Sequence, residues 1–243
     1  MIRKILFFSI AAVFSLLPFS CENLAELGLS NEEIVSGLKE ALNQGARVAS
    51  QNLGITDGYF KDQAVKILLP ADAANLIEKA YAVPGAELIL KPYMESVVEK
   101  MNRGAEKAAT KAVPIFADAI TKMSITDAMN ILKGNDTAAT GYLRQTTSQP
   151  LTAAFAPEIN AAMDEVGASA AWNTLFSKYN SYVTPFTTAT LGLQTINPNL
   201  GEYATGKALN GLFRKVGDEE TDIRNDISKR SSELLKKVFK EQD

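Results

Sequence analysis

The pattern of hydrophobic and polar positions is helical along almost the whole chain after Ser30. Apolar residues recur every three or four positions, for example at Ile34, Leu38 and Leu42, which is the spacing of one helix face. Ser30 and Glu33 fit a capping box, which predicts the start of the first helix. No series of alternating apolar residues separated by turns is present, so no β-sheet is expected. The sequence therefore predicts an all-α fold.

Prolines and glycines mark the predicted boundaries between the helices. Pro92 suits the first position of a long helix, Pro150 suits the start of another, and Gly217 suits a helix end. Residues 183–197 are rich in threonine and predict a long loop over the bundle. Because neither an internal repeat nor a linker is visible, we expect residues 31–243 to form a single multi-helix bundle.

The helix predicted after Pro92 becomes rich in alanine towards its end, where Ala105, Ala108 and Ala112 lie on one face. Small side chains allow two helices to approach more closely than bulky ones do. This half of the helix is therefore predicted to be a close helix–helix contact.

The N-terminus has the pattern of an export signal. Arg3 and Lys4 precede a predominantly apolar run 13 residues long, 5–17. A membrane-spanning helix needs about 18 such residues, whereas the apolar region of a signal peptide has about 7 to 15. The only cysteine of the chain, Cys21, follows this run and is preceded by the small residue Ser20.

The position of Cys21 resembles that of the acylated cysteine in a bacterial lipoprotein signal. Pro18 and Phe19 depart from the usual residues before such a cysteine. The resemblance implies that residues 1–20 are a signal peptide, that residues 21–30 are a tether, and that a lipid on Cys21 anchors the exported protein to a membrane of the cell envelope. An ordinary secretory signal with an incidental cysteine is the alternative.

Composition excludes several kinds of function. The chain has 25 basic and 28 acidic residues, and the balance is 23 to 28 without residues 1–20, so no nucleic-acid partner is expected. The chain contains no histidine. A Ser-His-Asp triad is therefore impossible, and a zinc site would have to use carboxylates. We predict neither a metal site nor a cofactor.

Five stretches of the chain together resemble a known bacterial family. They read YFKDQAVKILLP, MNRGAEKA, IFADAITKMSITDAMNILKGNDTAATGYLR, YATGKALNGLF and EETDIRNDISKRSSELLKKVF. In order and spacing they are similar to the family called domain of unknown function 4197, over about residues 31–240. The resemblance implies an exported, predominantly helical protein, and because no activity is assigned to that family it implies no catalytic residue.

The densest group of polar residues lies within these stretches and forms the candidate polar cluster. Its members are Asn102, Arg103, Glu106, Asp127, Asn130, Asp136, Tyr142 and Arg144. One interpretation gathers them into a polar pocket, with Arg103 or Arg144 as an anion clamp. The other, which we favour, makes them helix caps and buried hydrogen-bond partners.

Two charged stretches near the C-terminus have simple structural interpretations. Glu219, Glu220 and Asp222 lack the spacing of a calcium loop and are expected to be a solvated helix start. Residues 229–240, KRSSELLKKVFK, are basic and amphipathic. We expect their apolar face to pack on the core and prefer this to contact with a membrane.

Three hypotheses for function follow. The first is a non-enzymatic lipoprotein of the cell envelope, anchored through Cys21, that binds an unknown envelope partner or ligand. The second is a histidine-free envelope enzyme that uses a carboxylate pair such as Glu106 and Asp127. The third is a carrier of an apolar ligand in a cavity between helices. That cavity would be lined by Met101, Phe116 and Phe155.

Overall fold

The structure, a computed structural model, describes residues 29–81, 84–181 and 183–240. Within these ranges ten α-helices and one 3-10 helix are present and no β-strand, which confirms the all-α prediction. The helices are α1 (Asn31–Gly54), α2 (Ala71–Ala80), α3 (Ala86–Ala109), α4 (Ala112–Lys122), α5 (Ile125–Leu132), α6 (Ala138–Asp164), α7 (Ala168–Asn180), α8 (Pro185–Leu191), α9 (Leu200–Asn225), the 3-10 helix (Ile227–Lys229) and α10 (Glu233–Val238). Residues 1–28, with the predicted signal peptide, Cys21 and most of the tether, lie outside the described residues.

Helix α1 begins at the predicted capping box. The Ser30 hydroxyl accepts a hydrogen bond from the Glu33 backbone N–H at 3.2 Å, and the Glu33 carboxylate accepts one from the Ser30 N–H at 2.8 Å. These bonds satisfy two backbone donors that a helix start would otherwise leave unpaired. The helix then continues for 24 residues, and Gly45 at its middle faces α9.

The centre of the bundle is the contact between α3 and α6. Ala105 and Ala108 of α3 are completely buried, as the alanine-rich pattern predicted. Gly104 marks the closest approach, since a Cβ atom at this position would lie 2.7 Å from the Cα atom of Ile159. At the edge of the contact, the carboxylate of Glu158 receives Lys107 at 2.7 Å.

Two predicted helix starts are wrong because the helices run through their prolines. Pro92 lies inside α3, which begins at Ala86, and Pro150 lies inside α6. Each proline removes one backbone hydrogen bond from its helix. In α3, Leu88 and Ile89 before Pro92 are exposed and burial of the helix face is seen from Val97 onward. In α6, apolar packing spans the interruption. In α6 the buried residues follow one another at four-residue spacing across Pro150: Leu143, Thr147, Leu151, Phe155 and Ile159.

Two other predicted boundaries also differ. Helix α9 does not end at Gly217 but continues to Asn225. Gly217 instead faces α6, where a Cβ atom would lie 3.6 Å from the hydroxyl oxygen of Thr140. Residues 183–197 were expected to be a loop, yet α8 forms within them, because Thr184 caps the helix and accepts a hydrogen bond from the Thr187 N–H.

The C-terminal segment packs against α1. Leu235, Val238 and Phe239 are buried, and a Cβ atom at Gly37 of α1 would lie 2.7 Å from a methyl group of Val238. The apolar face of residues 229–240 therefore belongs to the core, as predicted. Across the described ranges, no helix combines the length and the apolar character needed to cross a membrane.

Candidate functional site

Asn102 holds the chain segment that precedes α2. Its side chain is completely buried. The amide oxygen accepts a hydrogen bond from the Ile67 N–H at 2.8 Å, and the amide nitrogen donates to the Ile67 carbonyl at 2.8 Å and to the Val98 carbonyl at 2.7 Å. The side chain thus supplies both hydrogen bonds that a neighbouring strand would give to Ile67.

Glu106 lies one helical turn further along α3 and binds the same loop. One carboxylate oxygen accepts hydrogen bonds from the N–H groups of Tyr59 at 3.2 Å and Phe60 at 3.0 Å. The other accepts a charged hydrogen bond from Arg103 at 2.8 Å. Because only 4% of Glu106 is exposed, these partners are what compensate for the burial of its charge.

Arg103 extends this arrangement to Asp57, whose carboxylate lies 2.8 Å from the guanidinium. Asp57 has a positive φ of 72°, a backbone conformation that aspartate tolerates better than most residues. Hydrogen bonds from Lys61 and then from Arg103 hold the pKa of Asp57 below its usual value. The hydrogen bond to Glu106 is the largest of the contributions that raise the pKa of Arg103. Asn102, Arg103 and Glu106 together fix the path of residues 57–67.

Asp127 and Asn130 lie on α5, where they have different environments. Asp127 forms a capping box with Ser124, accepting hydrogen bonds from the Ser124 N–H at 3.2 Å and hydroxyl at 2.7 Å. Asn130 is exposed. Burial first, and the negative charge of Asp127 second, raise the pKa of Tyr142. Asp127 is therefore already engaged in capping its own helix.

Asp136 and Arg144 are both exposed and serve the contact between α6 and α9. The backbone carbonyl of Asp136 accepts a hydrogen bond from the Thr221 hydroxyl at 3.4 Å. Arg144 donates to the amide oxygen of Asn210 at 2.9 Å, and its guanidinium lies 4.5 Å from the ring centre of Phe213. Neither residue shares a partner with Asn102, Arg103 or Glu106.

The most completely buried ion pair described in the structure, Glu220 with Arg224, was not expected from the sequence. Glu220 is 6% exposed, so its assignment to a solvated helix start is wrong. Its carboxylate accepts hydrogen bonds from the N–H groups of Ala139 at 2.9 Å and Thr140 at 2.7 Å, and it lies 3.0 Å from Arg224. The available signal was its position on the apolar face of α9, three residues before the buried Ile223.

Arg224 connects this pair to the end of α5. Its guanidinium donates to the backbone carbonyls of Ile131 at 2.8 Å and Leu132 at 3.3 Å. Glu220 thus caps the start of α6 while Arg224 caps the end of α5. A cavity of about 20 Å³ beside the pair has room for about one water molecule.

The described residues also line larger surface clefts, three of which have volumes of about 730, 430 and 310 Å³. Of the eight residues of the candidate polar cluster, Tyr142 alone lines one of these three clefts, the second. The third contains the ion pair of Asp62 and Lys215 at 2.6 Å. Among the described residues, no three histidine, cysteine, aspartate or glutamate side chains are grouped so that they could hold a metal ion.

The proposed lining of a carrier cavity belongs to the packed core. Met101, Phe116 and Phe155 are each completely buried in the same hydrophobic cluster, and none of them lines one of the three clefts. Phe116 packs edge to face on Phe213 with ring centres 6.0 Å apart. These aromatic side chains therefore fill the space that an apolar ligand would need.

The fold and these contacts define an all-helical bundle. In it Asn102, Glu106 and Asp127 bind backbone groups of the chain itself, and Arg103 and Arg144 bind other side chains. A family model described as "protein of unknown function (DUF4197)" matches residues 28–240. The chain belongs to this family, as the resemblance of the five sequence stretches predicted. No curated protein and no solved structure matches the chain.

Proposed function

We propose that this chain is a non-enzymatic interaction protein that a lipid on Cys21 anchors to a membrane of the bacterial cell envelope. The non-enzymatic role is supported by the hydrogen bonds that the carboxylates of Glu106 and Asp127 already form. Glu106 holds two backbone N–H groups and Arg103, and Asp127 holds the start of α5. A general acid or base must be within reach of a substrate proton, and these groups face their own chain instead.

The anchor is proposed from the sequence. Cys21 follows a predominantly apolar run of 13 residues that itself follows Arg3 and Lys4. A single acyl chain gives only marginal membrane binding, whereas several chains on one N-terminal cysteine would hold the protein stably. The helical body begins at Asn31, so about ten residues separate it from the anchor and allow at most about 35 Å of reach.

Fractionation of the full chain and of a Cys21→Ala variant tests the anchor. The unaltered chain should sediment with membranes and carry acyl groups on its N-terminal peptide in mass spectrometry. Cys21→Ala should lose both the acyl mass and at least about nine-tenths of the membrane association, because the lipid supplies the apolar contact with the bilayer. Ser20→Ala is the matched control, since it keeps a small residue before Cys21.

Two results would contradict the anchored state. One is a Cys21→Ala variant that still sediments with membranes. The other is an unaltered chain whose N-terminal peptide carries no acyl mass, which would favour an ordinary secretory signal. Neither result depends on whether the helical body binds a partner, so the two parts of the proposal can fail separately.

A further inference from the structure

The cleft of about 430 Å³ lies between α4 and α6, and we call it the α4–α6 cleft. Its volume falls in the range of small-molecule sites, about 300 to 1,000 Å³. Most of its lining is apolar and comes from Pro114, Ile115, Ala119 and Pro150. The partly buried Tyr142 adds an aromatic ring and a hydroxyl group. An apolar lining with a few polar groups is the usual form of a site that binds a small molecule.

Pro150 leaves one backbone carbonyl of α6 without its helical donor. In an α-helix the carbonyl of Thr146 would accept a hydrogen bond from the N–H of residue 150, and proline has no N–H. The Thr146 hydroxyl donates to the Tyr142 carbonyl at 2.9 Å, and the Thr147 hydroxyl donates to the Leu143 carbonyl at 2.5 Å. Among the described residues no side chain supplies the missing donor, so the Thr146 carbonyl is open to a donor from outside the chain.

This carbonyl belongs to the face of α6 that lines the cleft. Residues four apart lie one above the other on a helix, and Tyr142, Thr146 and Pro150 follow one another at this spacing. All three line the cleft. Because a helical carbonyl points along the axis towards the residue four positions ahead, that of Thr146 lies between two lining residues. A donor bound in the cleft is therefore offered an acceptor that the helix itself does not use.

The charged side chains of the α4–α6 cleft neutralise each other. Asp118 and Lys122 are the charged residues of its described lining, and they form an ion pair at 2.7 Å. Asp127 of α5, which contributes to the raised pKa of Tyr142, does not line the cleft and caps its own helix through Ser124. A charged ligand would lose hydration on entering and find no unpaired counter-charge in the lining, whereas an uncharged ligand avoids that cost.

We propose that the α4–α6 cleft binds an uncharged, largely apolar small molecule that donates one hydrogen bond to the backbone carbonyl of Thr146. The apolar body of the ligand packs on Ile115, Ala119 and Pro150. A ligand without a donor would cover the Thr146 carbonyl and remove it from water, which costs free energy, so the site favours ligands that carry an N–H or O–H group. This inference rests on the proposed interaction role, for which it names a class of ligand, and its failure would leave the separately tested anchor at Cys21 unaffected.

Indole and 1-methylindole test the inference, because they share an apolar body and only indole carries an N–H group. Each is titrated into the full chain in detergent and followed by the methyl resonance of Ile115 in NMR, with the free probe concentration measured by dialysis. Indole should shift this resonance until it saturates, and 1-methylindole should bind about tenfold more weakly because it leaves the carbonyl without a donor. Indole-3-acetate and tryptamine, which are charged, should bind no more tightly than indole.

The variant Pro150→Ala tests the acceptor itself. Its alanine supplies an N–H that closes the helical bond to Thr146, so the preference for indole should fall from about tenfold to about twofold or less. The variant should unfold at no lower temperature than the unaltered chain, because alanine suits a helix interior and proline does not. Pro157→Ala is the matched control. Pro157 also lies inside α6 but does not line the cleft, so this variant should keep the preference for indole.

Several results would overturn the proposal. One is an Ile115 resonance that does not respond to indole, and another is equal affinity of the unaltered chain for indole and 1-methylindole. A preference for indole that persists in Pro150→Ala would assign the hydrogen bond to a different acceptor and overturns it too. Tighter binding of tryptamine or indole-3-acetate than of indole would show that the cleft selects a charged ligand instead. An Ile115 resonance that moves on dilution without any probe would assign the cleft to a second copy of the chain, which also overturns the proposal.

Discussion

Glu220 is the single side chain on which the junction of three helices depends. It lies on α9, caps the first turn of α6 through Ala139 and Thr140, and orients Arg224, which caps the end of α5. Each of these contacts satisfies a backbone group that a buried helix end would leave unpaired. Glu220 forms an ion pair with Arg224, but its main contribution to the fold is that the pair satisfies hydrogen-bonding groups at two helix ends.

Removal of this carboxylate should be among the most damaging single changes in the protein. Glu220→Ala leaves the buried guanidinium of Arg224 without its counter-charge and two N–H groups of α6 without acceptors. The expected loss is about 3 to 5 kcal/mol of unfolding free energy. Urea denaturation followed by circular dichroism at the helical band measures it.

Asp222→Ala is the control for this change. Its carboxylate is 52% exposed and pairs with Lys229 at 3.5 Å, so the expected loss is below about 1 kcal/mol. Equal losses of unfolding free energy for the two variants would contradict the conclusion that the junction of the three helices depends on Glu220.

The roles of some of these residues can be predicted from the sequence, and those of others cannot. The capping boxes of Ser30 with Glu33 and of Ser124 with Asp127 span three residues each, so the local spacing reveals them. Glu106 meets Phe60 across 46 residues and Glu220 meets Thr140 across 80. Such partners are determined only when the helices pack. Glu106 was for that reason open to an interpretation as a member of a catalytic carboxylate pair.

At the scale of elements, two helices continue through prolines that the local pattern placed at helix starts. Pro92 and Pro150 were predicted to begin helices because a missing N–H costs nothing at the first position. Both lie inside long helices instead. In α6 the buried face extends past Pro150, whereas in α3 Leu88 and Ile89 before Pro92 are exposed. The alanines of α3 correctly indicated a close contact, but the sequence did not reveal that Gly104 and Ile159 are its nearest pair.

The contact between α3 and α6 leads to a test in which the same substitution has opposite effects at two sites. Gly104→Ala should destabilise the protein by about 1 to 3 kcal/mol, because its methyl group would press on the backbone at Ile159. Gly206→Ala in α9 should stabilise it by up to about 1 kcal/mol, because no atom lies within 4 Å of the added methyl group and alanine favours a helix. Thermal unfolding of both variants measures the difference. A stabilising Gly104→Ala would mean that the two helices are further apart than described.

At the scale of the whole molecule, carboxylates that bind lysines connect distant parts of the chain. Asp62 in the loop before α2 pairs with Lys215 of α9 at 2.6 Å, and Glu158 of α6 receives Lys107 of α3. The hydrogen bond from Lys215 lowers the pKa of Asp62, and the one from Lys107 lowers the pKa of Glu158. Acid should weaken these connections between elements.

The sign of the pH dependence follows from the lowered pKa values. A carboxylate whose pKa is lower in the folded state stabilises the fold above its unfolded pKa, about 4, and loses that contribution as the pH falls through the folded pKa. The unfolding free energy should therefore decrease below about pH 4. Asp62→Asn should reduce this dependence, as measured by urea denaturation between pH 2.5 and 7.

Asp164→Asn is the control for the acid measurement, because Asp164 is exposed and forms no ion pair within the described ranges. It should leave the pH profile parallel to that of the unaltered chain. If Asp62→Asn and Asp164→Asn gave the same pH profile, the ion pair of Asp62 with Lys215 would not contribute to the pH dependence of the unfolding free energy.

The all-α class was predictable because the three- to four-residue period covers almost the whole chain. The arrangement of the helices was not, since it depends on a few close approaches. The cleft between residues 66–69 and the first half of α3 was not predictable either, since the two segments form it together. In the sequence, residues 66–69 and α3 are separate segments, and nothing indicates that they form the two walls of one cleft. Neither wall alone carries a motif.

The way in which α3 holds residues 57–67 has a consequence for how this surface can diversify. Asn102 and Glu106 bind backbone atoms of Tyr59, Phe60 and Ile67. A loop held by its backbone keeps its path when its outward side chains change. Substitutions at Lys66 or Leu68 would therefore change the chemistry of this surface at little cost to the scaffold, because the backbone bonds to Asn102 and Glu106 do not depend on those side chains.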